Sequence, residues 1–470
     1  MNFKRLSYYL GFFCFPISIL AFINILYSSY FDYFLSVNSY VITLFLSFII
    51  GLGLVFFGKR AEKKINFIEQ LILIILIYLL VSLLIALPIY LSNYQVTFLN
   101  SFFEAISGIT GTGFSVFKNI KYLDPTLILW RSSFQWIGGL YFLIFLILIF
   151  SNKQFNYKMN ALTFSGDGST NSETNIKDFL LKIFILYSVL SLSIFLLLNI
   201  SGIRMFNSLN LSMSLISSGG FLPTDSLDKI IKSNPQKLVF IFSLIISMLN
   251  FFLILNIFQK KIIIREHKED LYLIILSFVF IFLVYLNSYS GLNIIISVLS
   301  SLSNSGLSLI NSDNNLSLYF ILITAVGGSL ISNTSGIKFT RIYILLKTVI
   351  SEMIKLVSPN SIVSKSIFNS DKKITDENVK ISFLIFISFF ISLFLLSGIL
   401  IFDSIDFEES FKLSILTITN TTNSAMFGME QMDFSNLLTT SKISLIIFMI
   451  IGKIELISIF LIIRNIFLKD

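Results

Sequence analysis

Apolar residues run along this chain in long blocks with few charges, not in the one-sided stripes of a soluble helix or the alternation of a half-buried strand. The blocks cover 67–91, 127–150, 179–200, 238–258, 271–286, 381–402 and 443–467. Most come close to the roughly 20 residues a helix needs to cross a bilayer. In hydrocarbon every backbone N–H and C=O must be paired within the segment, so these blocks are expected to be helices. Between them lie four shorter amphiphilic segments, 97–109, 205–216, 292–302 and 407–419. Each is too short to span and is expected to dip into the membrane and return.

Each short segment runs into a small polar stretch that ends in a small residue and a large apolar one. The four stretches are Thr110-Gly111-Thr112-Gly113-Phe114, Ser217-Ser218-Gly219-Gly220-Phe221, Ser303-Asn304-Ser305-Gly306-Leu307 and Thr422-Asn423-Ser424-Ala425-Met426. The sequence therefore divides into two leading transmembrane helices (1–66), repeat 1 (67–152), a cytoplasmic linker (153–176), repeats 2 and 3 (177–260 and 261–351), a second linker (352–378) and repeat 4 (379–470). The expected fold is an all-α multi-pass membrane protein. Four pseudo-symmetric helix–pore-loop–helix repeats surround a central cation pore, preceded by two extra transmembrane helices.

Charge adds orientation. Lys59, Arg60, Lys63 and Lys64 fall in one loop, Lys153 and Lys158 in the next of the same parity, and Lys260, Lys261, Arg265 and Lys268 in the one after. These loops are expected to be cytoplasmic, with both termini inside a cell (inner or plasma) membrane. The net charge of +8 then reflects loop topology, not nucleic-acid binding. The opposite loops carry Asp225, Asp228, Asp313, Asp403, Asp406, Glu408 and Glu409, an acidic mouth suited to cation entry. Residues 1–22 place Lys4 and Arg5 before an apolar stretch, but no small-residue cleavage pattern follows, so they read as a retained first helix. Cys14 and His267 are single, which excludes a disulfide framework and most cysteine or histidine metal chemistry. A GxxxxGK[ST] phosphate loop is absent, so ATP hydrolysis is not expected.

The glycines of the small stretches have a mechanical reading. A filter that replaces an ion's water shell with backbone carbonyls must aim successive carbonyls at one axis. Glycine reaches the positive φ this requires without a Cβ penalty, and nearby hydroxyls can bond the loop backbone. Small residues in membrane helices more often serve close packing, but four matched copies point to one shared cause.

These stretches, with three others, make the chain resemble the Trk/Ktr/HKT superfamily of potassium transporters, most closely its TrkH branch. Trp130-Arg131-Ser132-Ser133-Phe134-Gln135-Trp136-Ile137-Gly138-Gly139 resembles the start of the second helix in that family's first repeat. Gly327-Gly328-Ser329 and Asn333-Thr334-Ser335-Gly336-Ile337-Lys338 resemble the broken helix of its third, and Gly452-Lys453-Ile454-Glu455 a stretch of its last helix. The resemblance implies a selectivity filter at Thr110, Gly111, Thr112, Gly113, Ser218, Gly219, Gly220, Asn304, Ser305, Gly306, Asn423, Ser424 and Ala425. Potassium or sodium would be the substrate, and no cofactor is implied. The filter glycines map to Gly113, Gly220 and Gly306. Ala425 falls where the family usually has glycine, or Ser424 with a shift of one residue. In some plant relatives glycine loss in the first loop accompanies sodium transport, so sodium conduction is a second expectation. The resemblance also implies a homodimer and a cytoplasmic nucleotide-binding regulatory ring of TrkA/KtrA type.

Two features bear on gating. The block 319–350 is interrupted by Gly327, Gly328, Ser329, Ser332, Asn333, Thr334, Ser335 and Gly336, and this middle is expected to unwind. In the resembled family the unwound stretch sits under the filter and gates flow. Lys453 lies near the middle of its apolar block, 10 residues from the nearer end at 443, or roughly 15 Å, beyond the reach of a snorkelling side chain. A mid-membrane cation is a functional candidate. The family places an arginine there, projecting into the pore. A structural pair with Glu104 is the alternative; Glu455 is on another helical face. A secondary transporter of a small organic solute is the competing reading of the broken helices. A membrane enzyme would need a polar catalytic cluster within the spans, which the sequence does not supply.

Overall fold

Proline and glycine set the two leading elements. α1 (Phe3–Phe12) stops where Pro16 enters the first turn of α2 (Phe15–Tyr30), since proline supplies no N–H to continue the ladder. α3 (Val37–Gly58) packs against α1 along Gly11, Gly51 and Gly58. A Cβ on Gly58 would lie 2.3 Å from the Lys4 carbonyl oxygen, so only a glycine permits this approach. The computed structural model describes residues 3–32, 37–61, 65–150, 174–258, 268–286, 291–310, 314–359, 366–369, 373–429 and 432–454. The SGDGSTNS linker, Asp313, His267, Glu455, most of the basic loop residues and the last part of the block 443–467 lie outside them.

Four repeats follow. Repeat 1 comprises α4 (Phe67–Tyr90), α5 (Phe98–Thr110) and α6 (Pro125–Phe150). α4 opens on a capping box between Asn66 and Glu69, and Glu69 also takes Arg5 at 2.9 Å, tying the leading helices to the repeat. Repeat 2 comprises α7 (Thr174–Ile200), α8 (Met205–Ile216), α9 (Asn234–Met248) and α10 (Phe251–Phe258). Repeat 3 comprises α11 (Lys268–Tyr285), α12 (Leu292–Leu302), α13 (Asn314–Val326) and α14 (Phe339–Val357). Repeat 4 comprises α15 (Asp376–Phe402), α16 (Phe407–Ile418) and α17 (Thr439–Ile454). The four short segments fall within one residue of the bounds read from the sequence.

Among the described residues five helices are long and apolar enough to cross a membrane, or six if α9 and α10 count as one bent span. Their outward faces carry exposed residues such as Phe45, Phe56 and Phe394, the surface a lipid-facing helix presents. The four short helices are instead buried along most of their length.

The block 238–258 departs from the expected single span: α9 and α10 meet at 106°. The cause is Asn250, whose side-chain oxygen accepts the Phe252 N–H at 2.9 Å and competes with the helix ladder. The freed backbone groups find partners elsewhere. Asp270 accepts the Asn250 N–H at 2.9 Å, Ile331 O accepts the Phe251 N–H at 2.9 Å, and Met248 O takes the Ser329 N–H at 3.0 Å. The bend in repeat 2 is therefore a seat for the non-helical stretch of repeat 3.

Candidate ion pathway

Each short helix ends in one residue with positive φ: Gly111 (78°), Ser218 (55°), Asn304 (59°) and Asn420 (48°). The next amide then turns back to the helix. Thr112 N reaches Ser107 O at 2.8 Å, Gly219 N reaches Ser214 O at 2.8 Å, Ser305 N reaches Ser300 O at 3.1 Å and Thr421 N reaches Leu416 O at 2.8 Å. This shared turn fixes the register, and one residue further on come Gly113, Gly220, Gly306 and Thr422.

Those four residues meet. A Cβ on Gly113 would lie 2.9 Å from Gly220 Cα and 3.0 Å from Thr422 Cβ, and one on Gly306 would lie 2.4 Å from Thr422 O. Thr422 Oγ1 donates to Gly113 O at 2.9 Å. The fourth loop is thus offset from its sequence alignment. Ala425 and Ser424 do not join the rank; Ala425 is exposed and opens a 3-10 turn, Ala425–Phe427, and Asn423 is one residue past the rank. Thr422 occupies the place given to Ala425. Asn420, which the sequence reading omitted, holds the place of Gly111.

Uncharged side chains hold the loops. Asn304 Nδ2 donates to Thr324 O at 2.9 Å and Thr421 Oγ1 at 3.1 Å, and Asn420 Nδ2 to Thr112 Oγ1 at 3.0 Å and Met449 O at 2.9 Å. Loop 3 is thereby joined to loop 4, and loop 4 to loop 1. Thr110 and Thr112 share a hydroxyl bond at 2.8 Å. Behind loop 1 stands one ion pair, Arg131 Nε to Glu104 Oε1 at 2.8 Å, with side chains 1% and 0% exposed. Glu104 also accepts the Val116 N–H at 2.8 Å, and the Arg131 guanidinium lies 4.2 Å from the centroid of the Phe221 ring of loop 2. Glu104 is therefore committed to Arg131, not to Lys453. Gly138 of α6 lets this helix approach loop 1: its Cβ would lie 2.1 Å from Ile109 O.

Below the rank, the chain between α13 and α14 leaves the helix with Gly327 at φ 68° and returns with Gly336 at 81°. Thr334 Oγ1 accepts the Gly328 N–H at 3.0 Å and shares a bond with Ser332 Oγ at 2.7 Å. Asn333 Nδ2 donates to Ile216 O, the last carbonyl of α8, at 2.6 Å. Lys453 Nζ donates to Asn333 O at 3.0 Å and lies 4.3 Å from the centroid of the Phe142 ring. A Cβ on Gly111 would be 3.6 Å from the same ammonium, so Lys453 stands between loop 1 and this stretch. Gly327, Gly328, Ser329, Asn333, Thr334, Ser335, Gly336 and Lys453 are thus brought together.

Several of the acids expected at an outer mouth are engaged. Asp225 meets Lys229 at 2.8 Å, Glu408 meets Lys412 at 2.6 Å, and Asp403 accepts from Thr440 at 2.5 Å and from Ser441. Hydrogen bonding and the charge of Lys412 hold the Glu408 carboxyl below its ordinary value. Asp433, absent from the sequence list, meets Lys118 at 2.5 Å. Lysines thus offset Asp225, Glu408 and Asp433, which lowers the net acidity of this region.

Apolar spans arranged around four re-entrant loops that meet on one rank define a polytopic membrane protein of the pore-loop class. Residues 36–283, more than half of the chain, match the model of the TrkH cation transport proteins, and the chain belongs to that family. An uncharacterised cation transporter of Methanocaldococcus jannaschii is 24% identical over 455 residues, 90% of each chain. The Trk system potassium uptake protein TrkG of Escherichia coli is 24% identical over 441 residues, 89% of each. The crystal structure of the potassium transporter TrkH from Vibrio parahaemolyticus superposes with a TM-score of 0.85 at 19% identity, covering 98% of both chains, a likeness of fold.

Proposed function

We propose that this chain is the ion-conducting subunit of a potassium uptake system in the cell membrane, passing cations down the membrane potential through its four loops. The observation that carries the reading is the single rank made by Gly113, Gly220, Gly306 and Thr422, whose backbones approach too closely for three of the four to bear a side chain. Such a rank can present carbonyl oxygens to a dehydrated cation. Relatives named as potassium uptake proteins support potassium as the ion. The stretch 327–338 with Lys453 is the gate beneath the rank. Repeats bounded at 67–152, 177–260, 261–351 and 379–470, with basic loops and both termini in the cytoplasm, complete the reading. The assembled form is a homodimer on a nucleotide-binding ring of TrkA/KtrA type.

Thr422 is the point where selectivity is set. Its hydroxyl occupies one acceptor position of Gly113 O, leaving that carbonyl less available to an ion than its counterparts. Sodium, which tolerates an asymmetric oxygen shell with a hydroxyl or water in it, is the expected second substrate. The test is cation flux into proteoliposomes at fixed voltage under potassium or sodium gradients. The expected result is flux of both ions with potassium favoured, a higher potassium-to-sodium ratio in Thr422→Gly, and no change in Ala425→Gly. Absence of flux of either ion, with the ring added, overturns the reading.

A further inference from the structure

The stretch 327–338 is folded around a lysine. Lys338 Nζ lies 2.5 Å from Thr334 O, 3.1 Å from Thr334 Oγ1, 3.2 Å from Ser332 O, 3.4 Å from Ser332 Oγ and 3.4 Å from Ser329 O. Five oxygens from three residues of the loop thus surround one ammonium. The residue is 1% exposed, and it adopts φ 76°, a left-handed backbone that few side chains tolerate. Without the ammonium, three carbonyls and two hydroxyls would converge with their negative ends together. An ammonium is a compact cation suited to such a shell of dipoles, so the loop carries its own cation on a tether.

A carboxylate fastens the same loop from outside. Glu269, in the first turn of α11, accepts the Leu330 N–H at 2.8 Å and the Thr340 hydroxyl. Leu330 lies inside the loop and Thr340 just beyond it, so one side chain brackets both. Lys338 and Arg341 are the cations whose charges act on Glu269. Its neighbour Asp270 takes the Asn250 N–H at the α9–α10 bend. Lys453 meets the loop from the other side, at Asn333 O, and the Phe142 ring centroid lies 5.7 Å from Lys338 Nζ.

We propose that Lys338 is the positioning residue of the gate: a tethered internal cation around which the loop closes, clasped to α11 by Glu269, so that loss of either charge opens the path while the filter stays as it is. This rests on the reading of 327–338 as the gate.

The experiment is basal potassium and sodium flux in proteoliposomes without the regulatory ring, for wild type, Lys338→Met, Glu269→Gln and Lys453→Ala. Lys338→Met is expected to raise basal flux about tenfold, and Glu269→Gln by several-fold, both within the usual range of a coupling between two states. The potassium-to-sodium ratio should stay at the wild-type value, which a general loosening of the fold would not preserve. In Lys338→Ala, ethylammonium added to the bath should refill the oxygen shell and bring basal flux back down. Unchanged flux in Lys338→Met and Glu269→Gln beside a rise in Lys453→Ala overturns the proposal and leaves the gate reading standing. Unchanged flux in all three sinks the gate reading with it. If Lys338→Met does not fold, Glu269→Gln decides by the same criteria.

Discussion

The four-loop rank and the stretch 327–338, proposed above as filter and gate, are both non-helical backbone, yet they are stabilised by different means. In the filter, amides and hydroxyls cross from one repeat to the next: Asn304 to Thr421, Asn420 to Thr112, Thr422 to Gly113. The ion pair of Glu104 with Arg131 stands behind the rank. In the gate, full charges act directly on the loop: Lys338 from within, Lys453 from below the filter, Glu269 from α11. Uncharged bonds distributed over neighbours suit a part that must keep one geometry. Charged bonds, individually stronger but replaceable by water or ions, suit a part with two positions.

Four substitutions break or sharpen this contrast. The largest effect is expected at Glu104→Ala, which strands Arg131 as a buried unpaired charge and costs about 3–5 kcal/mol. The melting temperature of the purified protein should fall sharply, with part of the loss recovered in Glu104→Ala/Arg131→Met; an unchanged melting temperature would show the pair to be dispensable. Next is Lys453→Ala, where basal flux should rise about tenfold with the ion ratio unmoved; a changed ratio would place Lys453 in the filter's service instead. Asn420→Ala removes two uncharged bonds worth about 1–2 kcal/mol together. It should lower the potassium-to-sodium ratio while leaving basal flux at the wild-type value, and raised basal flux with intact selectivity would contradict this division between the two regions. The smallest effect belongs to Asp225→Asn at the mouth. Lys229 already offsets that charge, so flux at low ionic strength should change less than about twofold, and a larger fall would restore the acidic-funnel reading.

The sequence revealed the short helices because their ends are chemically marked. Thr97 caps the first, glycine or asparagine ends the first and third, and apolar blocks flank them all. It did not reveal the register of the fourth loop. There Asn420 takes the left-handed turn that Gly111 takes in repeat 1, and Leu416 replaces the serine found at 107, 214 and 300. The small residues 422–426 therefore imitate a filter three places too late. Counting from the helix end would have found it, since Thr419-Asn420 mirrors Ser303-Asn304. The α9–α10 break was carried by Asn250, which in sequence stands out little from Ser243, Ser247 and Asn256 of the same apolar run. Glu269 sat at the edge of a block, where an acid reads as a helix start; its partners are distant in sequence and became visible only in three dimensions.

One bond joins the two regions, from the Asn333 amide to Ile216 O at the end of α8. A helix C-terminus carries about half a negative charge, and here a neutral amide sits on it. On the proposed reading of 327–338 as the gate, a loop that swung aside would leave that carbonyl without its partner and open to a passing ion. Opening then does more than remove an obstacle: it trades a tethered occupant for a mobile one on the same electrostatic seat. On that reading the gate and the cation would be rivals for one address, and rising cation concentration would itself favour the vacated state.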